Sequence, residues 1–211
     1  MRPISAALAL TLLASPAAGQ APGSATRPAW KFAAYVDAYL DPEESTYFVP
    51  TIFADHGALH LEARYNYEDV DTGSLFAGWV IRLGGTDDYL NLTPMAGVFV
   101  GGSNGVAPGL EIEARWWRLA YWFESEYTFN FEDSSEDFFY TWSELNLYLF
   151  PFAWVGGSLQ RLKLVDTPRE IDIGPMVGFG NVGTPHVSLS FYGYGLGTSA
   201  RWFLATLGVE F

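Results

Sequence analysis

The chain contains no cysteine, so no disulfide can hold its fold. Basic residues are few: 11 Lys and Arg stand against 24 Asp and Glu, for a formal net charge of −13. That balance argues against nucleic acid as a partner. Histidine is rarer still, with 3 residues, and no spacing of a cofactor or metal motif is present, so neither a cofactor nor a bound metal is expected. Past the N-terminal segment no run approaches the roughly 18 consecutive apolar residues that a membrane-spanning helix needs. Against these absences, apolar residues make up 49% of the chain, aromatics 17%, and there are 22 glycines. Many aromatics, many glycines and abundant acids point to β-structure that meets lipid.

The first residues differ from the rest. Arg2, the apolar stretch Ile4 to Ala14 and the small residues Ser15 to Gly19 follow the layout of a secretory signal peptide. The apolar stretch is too short for a helix that crosses a bilayer, which takes about 20 residues. Residues 1–19 are therefore expected to be removed, with cleavage after Gly19 or after Ala21. Residues 20–29 read as a flexible leader rich in small residues and proline.

From residue 30 onward, apolar and polar residues alternate at period two, and turn residues break the pattern. In His60 to Tyr67, Leu61, Ala63, Tyr65 and Tyr67 share one face and His60, Glu62, Arg64 and Asn66 the other. The same design recurs at Leu110 to Trp116, Glu144 to Leu149, Glu170 to Ile173 and Phe203 to Phe211. Twelve strands are predicted, at 30–40, 47–54, 58–67, 73–83, 89–101, 107–116, 119–130, 138–149, 153–164, 170–179, 186–194 and 201–211. Pro50 interrupts the second. Gln160 and Arg161 break the alternation of the ninth, which predicts a bulge or a strand end there. Lengths near ten residues and an even count fit a transmembrane up-and-down antiparallel β-barrel over residues 30–211.

The connections divide by charge. The first, third and seventh hold the acidic runs Asp41 to Glu44, Glu68 to Asp71 and Glu132 to Asp137. All are odd-numbered, so they leave an up-and-down barrel at one end. Alternation alone also fits a secreted soluble β-protein, in which apolar positions point inward and acids to water. Aromatics near strand ends, as at Tyr65/Tyr67, Trp116/Trp117 and Phe150/Phe152, fit the girdles of a membrane barrel.

The last strand adds a resemblance. With Phe203, Leu207, Val209 and a terminal Phe211 in alternating positions, the chain resembles Gram-negative outer-membrane β-barrel proteins as a class. The resemblance implies residence in the cell outer membrane, contact with its lipid and lipopolysaccharide, and recognition of the last strand by the barrel-assembly machinery. It is specific over this strand and names no functional family.

If the apolar face meets lipid, the other face builds the lumen. It then carries Glu62, Arg64, Arg82, Glu111, Glu113, Arg115, Glu124, Glu126, Glu144, Asn146, Glu170 and Asp172. Glu111, Glu113, Glu124, Glu126 and Glu144 fall on three neighbouring strands and form an acidic wall. Such a wall points to a narrow passive channel for small cationic or neutral solutes. Alternatively the same residues pair with arginines and plug the interior, leaving a structural or assembly role. A third reading is a lipid-modifying enzyme, for which His186 with Ser188 and Ser190 on one strand face is the only weak pointer. The acidic run Asp133 to Asp137 lacks the ligand order and glycine of a calcium loop and reads as solvated charge.

Overall fold

Twelve antiparallel strands, each hydrogen-bonded to its chain neighbours and the last to the first, close into a barrel. The structure, a computed structural model, describes residues 28–42 and 45–211; the signal segment and most of the leader lie outside them. The strands are β1 (Trp30–Leu40), β2 (Tyr47–His56), β3 (Leu59–Tyr65) and β4, in two pieces (Thr72–Trp79 and Ile81–Gly84). Then come β5 (Tyr89–Gly101), β6 (Gly105–Trp116), β7, also in two pieces (Leu119–Tyr127 and Phe129–Asn130), and β8 (Phe138–Phe150). β9 (Ala153–Leu164), β10 (Glu170–Gly180), β11 (His186–Tyr194) and β12 (Trp202–Glu210) complete the wall. Closure runs from Ala33 opposite Glu210 to Leu40 opposite Phe203. It is finished by two bonds of 2.9 Å exchanged between the backbones of Phe32 and Phe211. A closed sheet has no open edge, which is the condition for β-structure to survive in hydrocarbon.

The period-two pattern sorts side chains cleanly. Phe48, Ile52, Leu75, Val98, Leu145 and Ile173 face outward and are exposed, while their neighbours in sequence are buried or half-buried. A water-soluble protein does not present a continuous apolar belt of this kind. Such a belt is a surface that acyl chains would cover at no cost, and the polar half of each strand is left to the interior.

Three local expectations change. Gln160 and Arg161 cause no bulge: β9 holds its register against both neighbours through this stretch, and Arg161 turns outward to lie 5.5 Å over the Phe139 ring. The register shift falls instead between Tyr148 and Phe150 of β8. The third strand ends at Tyr65, because Asn66 adopts φ 59° and turns the chain. Tyr67 therefore leaves the lipid-facing row, where alternation placed it, and is buried inside the barrel mouth.

The odd connections gather at one end of the barrel, the loop end, and the even ones at the other, the turn end. At the loop end carboxylates brace the loops, within one connection and between neighbours. Glu132 accepts from the Asn104 side chain at 2.8 Å, and Asp137 accepts from the Asn130 backbone N–H at 2.7 Å. Asp69 accepts from the Ser103 hydroxyl. Asp133 caps a 3-10 turn (Ser134–Glu136), and bonds from the Ser135 hydroxyl and N–H hold its carboxyl below the usual range.

Candidate functional site

The interior is divided into an aromatic half and an ionic half. On the aromatic side Tyr194 stacks on Trp202 at 4.1 Å and Tyr39 on Tyr47 at 4.6 Å, while Trp122 meets Trp142 edge-on at 5.9 Å. The polar atoms of Trp142 and Tyr194 are served locally. Trp142 Nε1 donates to Ser158 Oγ at 2.8 Å, and the Ser158 and Tyr194 hydroxyls are 2.7 Å apart. Gln160 Nε2 donates to the Tyr194 hydroxyl at 3.1 Å. Trp142 and Tyr194 have no exposed surface, so this half of the lumen is filled.

The ionic half begins on β3. Alternation turns His60, Glu62 and Arg64 inward, and register sets His60 opposite Asp55 of β2. His60 Nδ1 lies 2.8 Å from Asp55 Oδ1, and its Nε2 lies 2.7 Å from Glu62 Oε1 and 3.5 Å from Glu111 Oε2 of β6. Arg64 Nε donates to Glu62 Oε2 at 2.6 Å. The guanidinium then crosses the lumen to β7. Nη1 donates to Glu126 Oε2 at 3.1 Å, and Nη2 lies 2.8 Å from Glu124 Oε1. On the loop side Nη1 is 4.0 Å from Glu68. The rings of Tyr67 and Phe76 sandwich the same guanidinium, each 4.2 Å away. A planar cation with several donors is the side chain suited to bridging so many carboxylates.

These contacts form one unbroken file along the barrel axis. It runs from Asp55, near the turn end, through His60, Glu62 and Arg64 to Glu124, Glu126 and Glu68 at the loop end. Glu113 stands beside its lower end and accepts from the Tyr89 hydroxyl at 2.7 Å and from Asn91 at 2.9 Å. Glu68 belongs to the connection after β3; burial pushes its carboxyl up, and the nearby Arg64 only partly offsets this.

The lumen residues named from sequence are thus distributed unevenly. Glu62, Arg64, Glu111, Glu124 and Glu126 come together in the file. Glu144 and Asn146 are buried side by side on β8, with a 3.4 Å bond between them. Arg115 lies 5.3 Å over the Tyr148 ring, and Asp172 is half-buried opposite Gln160. Arg82 and Glu170 do not line the lumen. Each sits at the end of a strand, Arg82 at the turn end and Glu170 at the loop end, and both are exposed to solvent.

Several residues of the site were not anticipated. Glu68 and Tyr67 enter the lumen from a loop. The aromatic half shares strand parity with the carboxylates, as Trp122 does with Glu124 and Glu126, so parity alone could have found it. The histidine and serines of β11 do not assemble: His186 Nδ1 lies 2.7 Å from the Asn181 carbonyl oxygen, and no hydrogen bond joins it to Ser188 or Ser190 among the described residues. By contrast, ligand atoms of His60, Glu62 and Glu111 lie within 4.8 Å of one another, a spacing that can hold a metal ion.

Neither a protein-family model nor a curated protein sequence matches the chain. Solved structures do. The KdgM porin superposes with a TM-score of 0.56 at 12% identity, covering 86% of this chain and 98% of its own. The KdgM porin in complex with disordered oligogalacturonate gives 0.55 at 11% identity, with the same coverage. The outer membrane protein Omp33 of Acinetobacter baumannii gives 0.49 at 12% identity, over 88% of this chain and 99% of its own. At this identity the likeness is one of fold: the chain is built as a closed twelve-stranded antiparallel β-barrel, the architecture that the KdgM porin also has.

Proposed function

We propose that the protein resides in the outer membrane as a narrow passive channel for small cationic or neutral solutes, and that the ionic file is its passage. The observation that carries this reading is the continuity of the file. Ionisable groups succeed one another from the turn end to the loop end, whereas a purely structural filling needs no such axial order. Glu62, Glu68, Glu111, Glu124 and Glu126 outnumber Arg64 and His60, so the field along the passage favours cations. It disfavours a polyanion such as the oligogalacturonate held by KdgM. The outward apolar belt is the surface for lipid and lipopolysaccharide, and the alternating β12 is the segment offered to the assembly machinery.

A second reading has its own observation. Complete burial of Trp142 and Tyr194, with Arg64 bonded across the lumen, fits a barrel that stays shut and serves a structural role. Planar-bilayer recording separates the two. The channel reading expects small, cation-selective steps from the wild type, larger steps from Arg64→Gln, and weaker cation preference in Glu126→Gln. Heat-modifiable electrophoretic mobility verifies that each variant is folded. Silence of both folded wild type and folded Arg64→Gln would leave the shut barrel as the function.

A further inference from the structure

The lower end of the ionic file has a geometry that ion pairing alone does not account for. Glu111 is only 12% exposed at its side chain, yet among the described residues no hydrogen bond reaches its carboxylate. Its nearest cationic group is His60 Nε2 at 3.5 Å, and that nitrogen is already engaged by Glu62 at 2.7 Å. A sequestered carboxylate with no donor is costly. Two carboxylates and an imidazole nitrogen converge here from β3 and β6.

We propose that His60, Glu62 and Glu111 bind one divalent transition-metal ion, and that Asp55 orients the histidine for it. Tetrahedral coordination with bonds of about 2.0–2.1 Å sets neighbouring donor atoms about 3.4 Å apart. His60 Nε2 and Glu111 Oε2 already stand at 3.5 Å, and the 2.7 Å contact with Glu62 must open by less than about 1 Å. The Asp55 carboxylate, 2.8 Å from Nδ1, accepts the Nδ1–H bond that fixes the tautomer and presents the Nε2 lone pair to the ion. When the metal binds, the proton shared between Nε2 and Glu62 leaves to solvent, and the Nδ1 proton stays on His60, donated to Asp55. Water fills the fourth position.

The donor set selects the ion class. One imidazole and two carboxylates, with no sulfur, suit zinc and its neighbours rather than cuprous ion. Calcium takes about 6–8 oxygen ligands, more than converge here. An ion reaches the site from the turn end, where the Asp55 side chain is 36% exposed. The proposal goes beyond conduction, since a shut barrel would bind the ion as readily as an open one.

The test uses the untagged barrel folded in detergent and stripped of metal with a chelator. Zinc is titrated calorimetrically, and cobalt absorption reports the coordination. The expected result is saturable uptake of one zinc ion per barrel, lost in Glu111→Gln and in His60→Gln. Asp55→Asn should weaken binding by about 10- to 100-fold. His56→Gln, which alters a histidine at the turn between β2 and β3, should leave it unchanged. Absence of saturable binding to the folded wild type would overturn the proposal, as would binding that survives Glu111→Gln, or that is lost only in His56→Gln. If His60→Gln does not fold, Glu111→Gln decides alone, because it removes a charge and no hydrogen bond.

Discussion

Arg64 and Glu68 show how one lumen charge is supported and another left under strain. Arg64 has bonding partners on three sides, whereas Glu68 reaches only the edge of that network, 4.0 Å from the guanidinium. Burial raises the Glu68 carboxyl above its ordinary value of 4.5. The folded barrel therefore holds a proton on Glu68 that the unfolded chain has already released, in the pH window just above 4.5. Stability falls with pH wherever the folded state binds more protons, so this residue favours the fold in acid and opposes it as pH rises through the window. Denaturant titrations in detergent at about pH 5 and about pH 8 should show wild type losing more stability on going to the higher pH than Glu68→Gln does. Equal losses in the two proteins would remove Glu68 as a source of the pH dependence.

Among the elements, the strands were legible because period two is a local signal, and each lumen carboxylate inherits its direction from its strand. What joins them was not legible. Arg64 and Glu126 lie 62 positions apart, and only the curvature of the closed sheet brings β3 within reach of β7, with three strands of the wall between them. The inward aromatics were masked by a different cause: the same residue types furnish lipid-facing girdles, so composition favoured the outside for rings that parity sends in. Tyr67 needed knowledge of a left-handed Asn66, which no alternation pattern contains. The abundance of glycine also acquires a meaning at this scale. Gly97 of β5 pairs with Phe76 of β4, and the ring lies flat across it; a Cβ there would sit 2.5 Å from the ring. Because that ring is also pressed against Arg64, it has little freedom to yield. Gly97→Ala should cost about 1–3 kcal/mol in denaturant midpoint measurements, the usual range for overpacking. Combining it with Phe76→Ala should cost less than the sum of the two single changes, since removal of the ring relieves the clash.

For the molecule as a whole, the decisive matter is which side of the wall touches water. The sequence pattern alone is symmetric in this respect, and the asymmetry comes from what each face contains once the barrel is closed. The inner face holds Glu124, Glu126, Glu144 and Arg64 out of solvent, so the exposed face is the apolar one. A single position can test this inversion. Leu145 sits midway along β8, faces outward and is 54% exposed. On a soluble protein, replacing such a leucine with lysine changes stability by less than about 0.5 kcal/mol. On a barrel whose belt meets acyl chains, a lysine near the bilayer midplane costs about 2–4 kcal/mol. Leu145→Lys should therefore lower the stability of the protein folded into phospholipid vesicles by an amount in the second range. Leu145→Val, which keeps the face apolar, should cost far less. A lysine variant as stable in vesicles as the wild type would place this face in water, and the channel and the shut barrel alike would lose their foundation.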